Sequence, residues 1–209
     1  MARSLGIPLE IDGACAHLAQ AKKRRVDLGR MKSGSRWPSQ PARDAIFLEC
    51  AGVGLSAFAS VAGETIEKHR WLALPGALRK FFEAKSAAVH VELDGAPLEV
   101  TTHMVTVLNT PLLGTNLLAA PQAKMDDGQL DVLVYDGWSE ADLVKHFLAV
   151  RSGEPSQVPV HRARRVRIWS DRPMLTHTEI HEARRRRHLE IDVMPAALTM
   201  IVGDGMALS

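Results

Sequence analysis

Glu179 stands two residues after His177 and two before His181. On a β-strand, side chains two apart point the same way, so this spacing aims two imidazoles and a carboxylate at one face. Such a trio could ligate zinc. The four consecutive arginines that follow, Arg184 to Arg187, are poor company for a cation, and a surface hairpin is the preferred reading. Asp127 lies in Asp126-Asp127-Gly128, which read alone is a solvated Asp-Gly turn, and Asp27 reads as a strand-end carboxylate. Arg162, Arg164, Arg165 and Arg167, with the four-arginine run, could meet phosphate groups or anionic phospholipid, but charge runs of this kind are usually solvated turns.

These groups need a scaffold, and the chain is able to build one. Its 209 residues are 46% hydrophobic and 24% charged, the composition of a globular chain that buries a core. A net charge of +2 is too weak to indicate a nucleic-acid partner. Cys15 and Cys50 form no CxxC pair, which points to a reducing, cytoplasmic setting. Nothing approaches the roughly 20 apolar residues of a spanning helix, and the N-terminus has no apolar signal core, so the protein is expected to be soluble or peripheral.

Periodicity predicts a helix from about Ile11 to Lys22, a short strand at Val26–Gly29 and a turn-rich loop at 33–41. An apolar strand at Ala45–Ala51 runs into Gly52-Val53-Gly54, followed by a mostly helical insertion to about Lys85. Alternating residues on either side of Asp94-Gly95 predict a β-hairpin. Strands are expected at Leu130–Tyr135, Val166–Ser170, Leu189–Val193 and Ala197–Val202, and a helix at Ser139–Val150 with Ser139 as N-cap. Many short strands with few helices predict a mainly β fold, a β-sandwich with a helical insertion and a few peripheral helices.

Five segments in order resemble one family. They are Ala2-Arg3-Ser4-Leu5-Gly6-Ile7-Pro8; Arg24-Arg25-Val26-Asp27-Leu28-Gly29; Phe47-Leu48 with Ala51-Gly52-Val53-Gly54; Asn109, Gly114, Pro121 and Ala123 leading to Asp126-Asp127-Gly128-Gln129-Leu130-Asp131-Val132; and Ile191 to Leu198. Together they resemble the C-terminal domain of bacterial diacylglycerol-kinase and sphingosine-kinase-like lipid kinases, which has a lipid kinase/NAD kinase-like fold. The resemblance implies an ATP-dependent transfer of phosphate to a lipid hydroxyl, with ATP held mainly by an N-terminal domain whose Gly-Gly-Asp-Gly-Thr loop this sequence lacks. On that reading the chain starts mid-protein at Met1. Residues 1–29 are the remnant of the interdomain junction and 30–209 the β-rich C-terminal domain.

The same resemblance assigns roles. Asp127 would hold a structural Mg2+ with the backbone carbonyls of Lys124 and Gln129. Asp27 would join an aspartate and water network near the catalytic metal, and Glu179 would accept the proton of the lipid hydroxyl. His177 stands where the family has the aspartate of Asp-Gly-Glu; a neutral imidazole lacks a carboxylate's charge but can still accept a proton. Glu49 and Ser56 depart similarly, from asparagine and aspartate. Trp71, Leu72, Leu74, Leu78, Phe81 and Phe82 could line an acyl pocket or pack the core. The partners implied are a lipid substrate and the inner face of the membrane, touched peripherally, with a homodimer left open. The other reading is a non-catalytic relative that binds lipid or a partner chain.

Overall fold

The computed structural model describes residues 2–19, 22–32, 44–56, 85–114, 117–179 and 184–203. Helix α1 (Ile11–Ala19) precedes strands β1 (Lys22–Lys32), β2 (Ala45–Phe47), β3 (Cys50–Gly54), β4 (Ala87–Leu93) and β5 (Ala96–Leu108). Then come β6 (Leu112–Leu113), β7 (Leu117–Leu118), β8 (Leu130–Asp136), helix α2 (Glu140–Arg151), β9 (Val160–Ala163), β10 (Arg165–Thr178) and β11 (Arg184–Val202). The large sheet runs β2-β1-β11-β10-β3-β5-β8-β9, with β4 also paired to β10 and β5.

β3 and β4 occupy the same row of this sheet. β4 lies between the first halves of β10 and β5, and β3 between their far halves. The expected insertion at 57–84, with its tryptophan, leucines and phenylalanines, therefore leaves and re-enters the sheet within one row; its own structure lies outside the described residues.

One buried cluster takes Met31 from β1, Phe47 from β2, Val105 from β5, Val132 from β8, Ile168 from β10 and Leu189 from β11. Strands from both edges of the sheet thus contribute to one interior, and the sheet curls over on itself as a sandwich. A second cluster joins Leu143 of α2 to Met104, Leu133 and Tyr135, and a third joins Leu5, Val26, Met125 and Val202. The fold is mainly β, as the strand alternation predicts.

Local chemistry explains where the predicted elements hold. Asp94 and Gly95 both have positive φ, 50° and 94°, as a two-residue turn of the kind favoured in hairpins demands. Asp94 does more than turn the chain: its carboxylate accepts N–H bonds from Arg164 and Arg165 at 2.8–3.0 Å, tying the turn to the start of β10. α2 opens with Ser139 and Asp142 in a reciprocal capping box.

Other boundaries move. Lys22, expected to end a helix, begins β1, and the strand expected at Val26–Gly29 extends as one paired strand to Lys32. The two strands expected at the C-terminus are one, β11, which passes through Pro195 and Ala196 by a register shift opposite Val26–Leu28. Arg184–Arg187, expected as a solvated turn, form the first residues of β11, and β10 runs beyond the expected Ser170 to Thr178.

Gly29 shows how tightly β1 and β2 fit. It pairs with Phe47 across the ladder, and the fully buried ring lies over the glycine, so that an added Cβ would fall 1.9 Å from Phe47 Cζ. An aromatic ring covering a strand glycine fills the space its missing side chain leaves. Gly29→Ala forces that ring from its packed position and is expected to cost about 2–4 kcal/mol in urea unfolding, since overpacking at a rigid core site is destabilising. An unchanged midpoint would show that the ring relocates freely.

Candidate functional site

The end of β10 is held between β3 and β11, with His177 paired to Gly52 and Thr178 to Ala51. Glu179 follows directly, and its carboxylate turns back onto the bend between β2 and β3. Oε1 accepts from Leu48 N–H at 2.5 Å and from Glu49 N–H at 3.2 Å, and Oε2 accepts from Cys50 N–H at 3.2 Å. Three consecutive amides converge on one carboxylate, an arrangement that fixes its position and attracts negative charge. A carboxylate offers about four lone-pair sites, so these three bonds leave acceptor capacity on an exposed residue.

His177 is buried two residues earlier. Its Nδ1 lies 3.5 Å from Ser56 Oγ, and Ser56 in turn donates to Val53 O at 3.1 Å. Gly52 makes the room, because a Cβ there would sit 2.2 Å from Ser56 Oγ and 3.0 Å from His177 Cε1. Nε2 of His177 is buried without a partner. Burial pushes the imidazole down to about 4, with the Gly52 backbone opposing. His177 and Ser56, two positions where the resembled family carries acids, are thus in contact as a neutral pair at neutral pH.

A depressed folded-state value means that the unfolded chain binds the extra proton between about pH 4 and 6.5. The resulting stability is complete above pH 6.5 and lost as pH falls towards 4. Between pH 7 and 4.5 wild type is expected to lose about 2–3 kcal/mol more than His177→Asn, compared by denaturant unfolding at the two pH values. Parallel losses in the two proteins would mean that the imidazole is not desolvated.

Asp27 is buried, and each of its carboxylate oxygens is bonded. Oδ2 accepts from Gly128 N–H and Oδ1 from Ala196 N–H, each at 2.7 Å, while its own N–H donates to Met125 O at 2.7 Å. The carboxylate therefore takes over the ladder's role at the bulge where β11 passes Pro195, and it ties the 125–128 loop to the same point. Asn109 extends the connection: Nδ2 donates to Asp27 O at 2.9 Å and to Leu48 O at 3.0 Å, and its N–H donates to Glu49 O at 2.9 Å. The loop carrying Asp127, the Asp27 clamp and the bend sealed by Glu179 are one bonded network, in which Asn109 is the joint.

Asp127 bonds Gln129 N–H through Oδ1 at 3.1 Å and contacts the Arg162 guanidinium through Oδ2. Lys124 and Gln129 flank it in the same loop, both half-buried. Asp131, in β8, has both carboxylate oxygens buried without a hydrogen-bond partner, and burial pushes it up to about 6. The same guanidinium approaches Asp131, Nε to Oδ1, at 3.8 Å. Two carboxylates drawn to one cation form an oxygen-rich place that suits Mg2+ if Arg162 swings aside. The donor set therefore fits the ion that the resemblance implies.

Among the described residues no group of three or more His, Cys, Asp or Glu could hold a metal ion; His181 lies outside them. Asp131 as a candidate, the contact of Ser56 with His177 and the joining role of Asn109 were missed in the sequence, although Ser56 stood out there as a departure from the family's aspartate. Asp131 could have been found as an acid inside the otherwise apolar strand Leu130–Tyr135. Asn109 bonds only across long sequence separations, which a linear pattern does not show.

The fold recurs in known structures. The chain is similar to a "putative diacylglycerol kinase" from Bacillus anthracis str. Sterne, with 20% identity and a TM-score of 0.67 over 98% of this chain and 65% of that one. It is also similar to a diacylglycerol kinase structure from the same organism, with 21% identity and a TM-score of 0.67 over 97% and 64% of the two chains. The chain thus spans less than two thirds of the structures it matches. No curated protein sequence matches it. Residues 51–202 match the family described as the YegS C-terminal NAD kinase beta sandwich-like domain, and the chain belongs to that family.

Proposed function

We propose that the chain is the substrate-side domain of an ATP-dependent lipid kinase that transfers the γ-phosphate to the hydroxyl of a diacylglycerol-like lipid. The observation that carries the reading is the network from Asp127 through Asp27 and Asn109 to Glu179, an exposed residue whose carboxylate three backbone amides hold in place. In this scheme the lipid hydroxyl approaches Glu179 from solvent and gives up its proton there as the oxygen attacks. The amides of residues 48–50 hold the carboxylate still, so that little reorganisation accompanies proton transfer. Asp127, with the Lys124 and Gln129 carbonyls and Asp131 nearby, would hold Mg2+, which when bound stabilises the loop electrostatically. ATP is assigned to a separate nucleotide-binding half.

Among the described residues no helix is long and apolar enough to cross a membrane. A peripheral position at the inner membrane face is part of the proposal, since the substrate is a lipid. The neutral His177–Ser56 pair favours a second reading, a non-catalytic relative that binds lipid or a partner chain. The two separate in one assay: this chain joined to a nucleotide-binding half of the family, supplied with labelled ATP and diacylglycerol in mixed micelles. The kinase reading expects label in the lipid; a joined, folded protein that binds lipid and ATP without transferring label supports the non-catalytic reading.

A further inference from the structure

The loop that carries Asp127 already has a cation against it, and that cation belongs to the chain. Arg162 stands on β9, at the edge of the sheet, directly across the ladder from Asp131 of β8. Its Nη2 contacts Asp127 Oδ2, and its Nε lies 3.8 Å from Asp131 Oδ1. Asp131 is buried, and neither of its carboxylate oxygens has a hydrogen-bond partner. A buried carboxylate in that condition is unfavourable unless positive charge lies beside it, and Arg162 supplies that charge.

The oxygens of Asp127 decide what else can bind there. Oδ1 accepts the Gln129 N–H at 3.1 Å, so Oδ2 is the oxygen better placed to ligate a hard divalent cation, and it is the one that Arg162 contacts. A guanidinium group against Oδ2 fills the space of a metal ion and repels it. The loop does not depend on Arg162 for its shape. Asp27 fastens it separately, through Gly128 N–H and Met125 O, each at 2.7 Å. The arginine side chain is 41% exposed at the sheet edge, whereas that of Asp131 is 2% exposed, so the guanidinium can swing into solvent while the carboxylates stay.

We propose that Arg162 is a resident cation that competes with Mg2+ for Asp127 Oδ2, neutralising Asp127 and Asp131 before the metal binds and turning out to solvent when it does. The exchange rests on the Mg2+ reading of this loop and deepens it. It needs neither ATP nor lipid, so failed phosphorylation by the joined protein would leave it standing. The measurement is calorimetric titration of the whole chain with MgCl2 at constant ionic strength, with the thermal midpoint followed alongside. Arg162→Gln is expected to bind Mg2+ about tenfold more tightly than wild type, because a partly exposed charge-assisted bond no longer has to be broken first. Without metal it should melt below wild type, and MgCl2 should close the gap. Arg162→Lys, which keeps the charge, should stay close to wild type in affinity, and Asp127→Asn added to Arg162→Gln should abolish the gain. In wild type itself the NMR signal of Arg162 Nε–H should move as MgCl2 is added and stay still with NaCl. Equal affinity in wild type and Arg162→Gln overturns the exchange and leaves the Mg2+ reading intact. An arginine signal unmoved at metal saturation, or a gain that survives Asp127→Asn, overturns it too. Absence of Mg2+ binding in both proteins removes the exchange and the Mg2+ reading together, and makes Arg162 the permanent counter-ion of the loop.

Discussion

Glu179→Gln, made in a protein that joins this chain to a nucleotide-binding half, is expected to keep the fold and lower lipid phosphorylation by about 10²–10⁴-fold, the usual contribution of a positioned general base. Glutamine retains a carbonyl oxygen for the N–H groups of Leu48 and Glu49, but it has no basic lone pair for the lipid hydroxyl. Glu179→Ala removes both functions. It leaves the three amides of residues 48–50 without their acceptor and should also lose about 1–3 kcal/mol of stability, softened by solvent access at this exposed residue. The pair of variants separates chemistry from architecture, because only the proton-acceptor role predicts that Gln is folded and slow. A glutamine variant with wild-type turnover would leave Glu179 as a structural seal and nothing more.

The largest stability effect is expected at Asp27. Asp27→Ala orphans the N–H groups of Gly128 and Ala196 together, at a place where β11 has already given up regular pairing. Hydrogen bonds to a charged acceptor contribute about 1.5–3 kcal/mol each, so a loss of about 3–5 kcal/mol in urea unfolding is predicted. Asp27→Asn should recover part of this, since one oxygen remains while an NH2 group now faces an N–H donor. A near-normal midpoint for Asp27→Ala, with catalysis lost in the joined protein, would instead assign the carboxylate to the metal and water network that the family resemblance implies.

The two roles are not exclusive in location, only in what they use. Both oxygens of Asp27 are taken by backbone amides at 2.7 Å, which makes it a clamp in this structure. Its influence on the site then runs through the Gly128 loop to Asp127, and through Asn109 to the bend under Glu179. Loosening the clamp is expected to disturb both ends together.

How much of this was legible in the sequence depends on the range of each interaction. The Asp94-Gly95 turn and the Ser139 N-cap are local: the residues that decide them lie within three positions of one another, and both were legible, although the reciprocal bond from Asp142 was not read. The unity of β11 was not legible, because Pro195 normally ends a strand, and the carboxylate that bridges the interruption comes from Asp27. The arginine run looked like a turn because charge runs usually are. It is a strand because Arg184–Arg186 pair with Met174–Thr176.

The candidate residues were named through the ordered segments that resemble lipid kinases, and the structure places Asp27, Asp127 and Glu179 in one network. Its central joint, Asn109, appeared in the sequence only as a motif position; its partners are 61 and 82 residues away. The meaning of His177 was half legible. That an imidazole replaces an acid is visible in the sequence, but that it is buried against Ser56, and therefore neutral, follows only from the packing of β3 against β10.

The central claim, that this domain supplies the lipid-side half of phosphoryl transfer, is tested most directly by complementation. Labelled ATP and diacylglycerol are given in parallel to this chain alone, to a nucleotide-binding half alone and to the two joined in one polypeptide. Label is predicted in the lipid only with the joined protein, because the chain has no glycine-rich phosphate loop and the other half lacks Glu179 and its amide seat. Lipid phosphorylation by this chain alone, or none by a joined protein that folds and binds both substrates, would contradict the account.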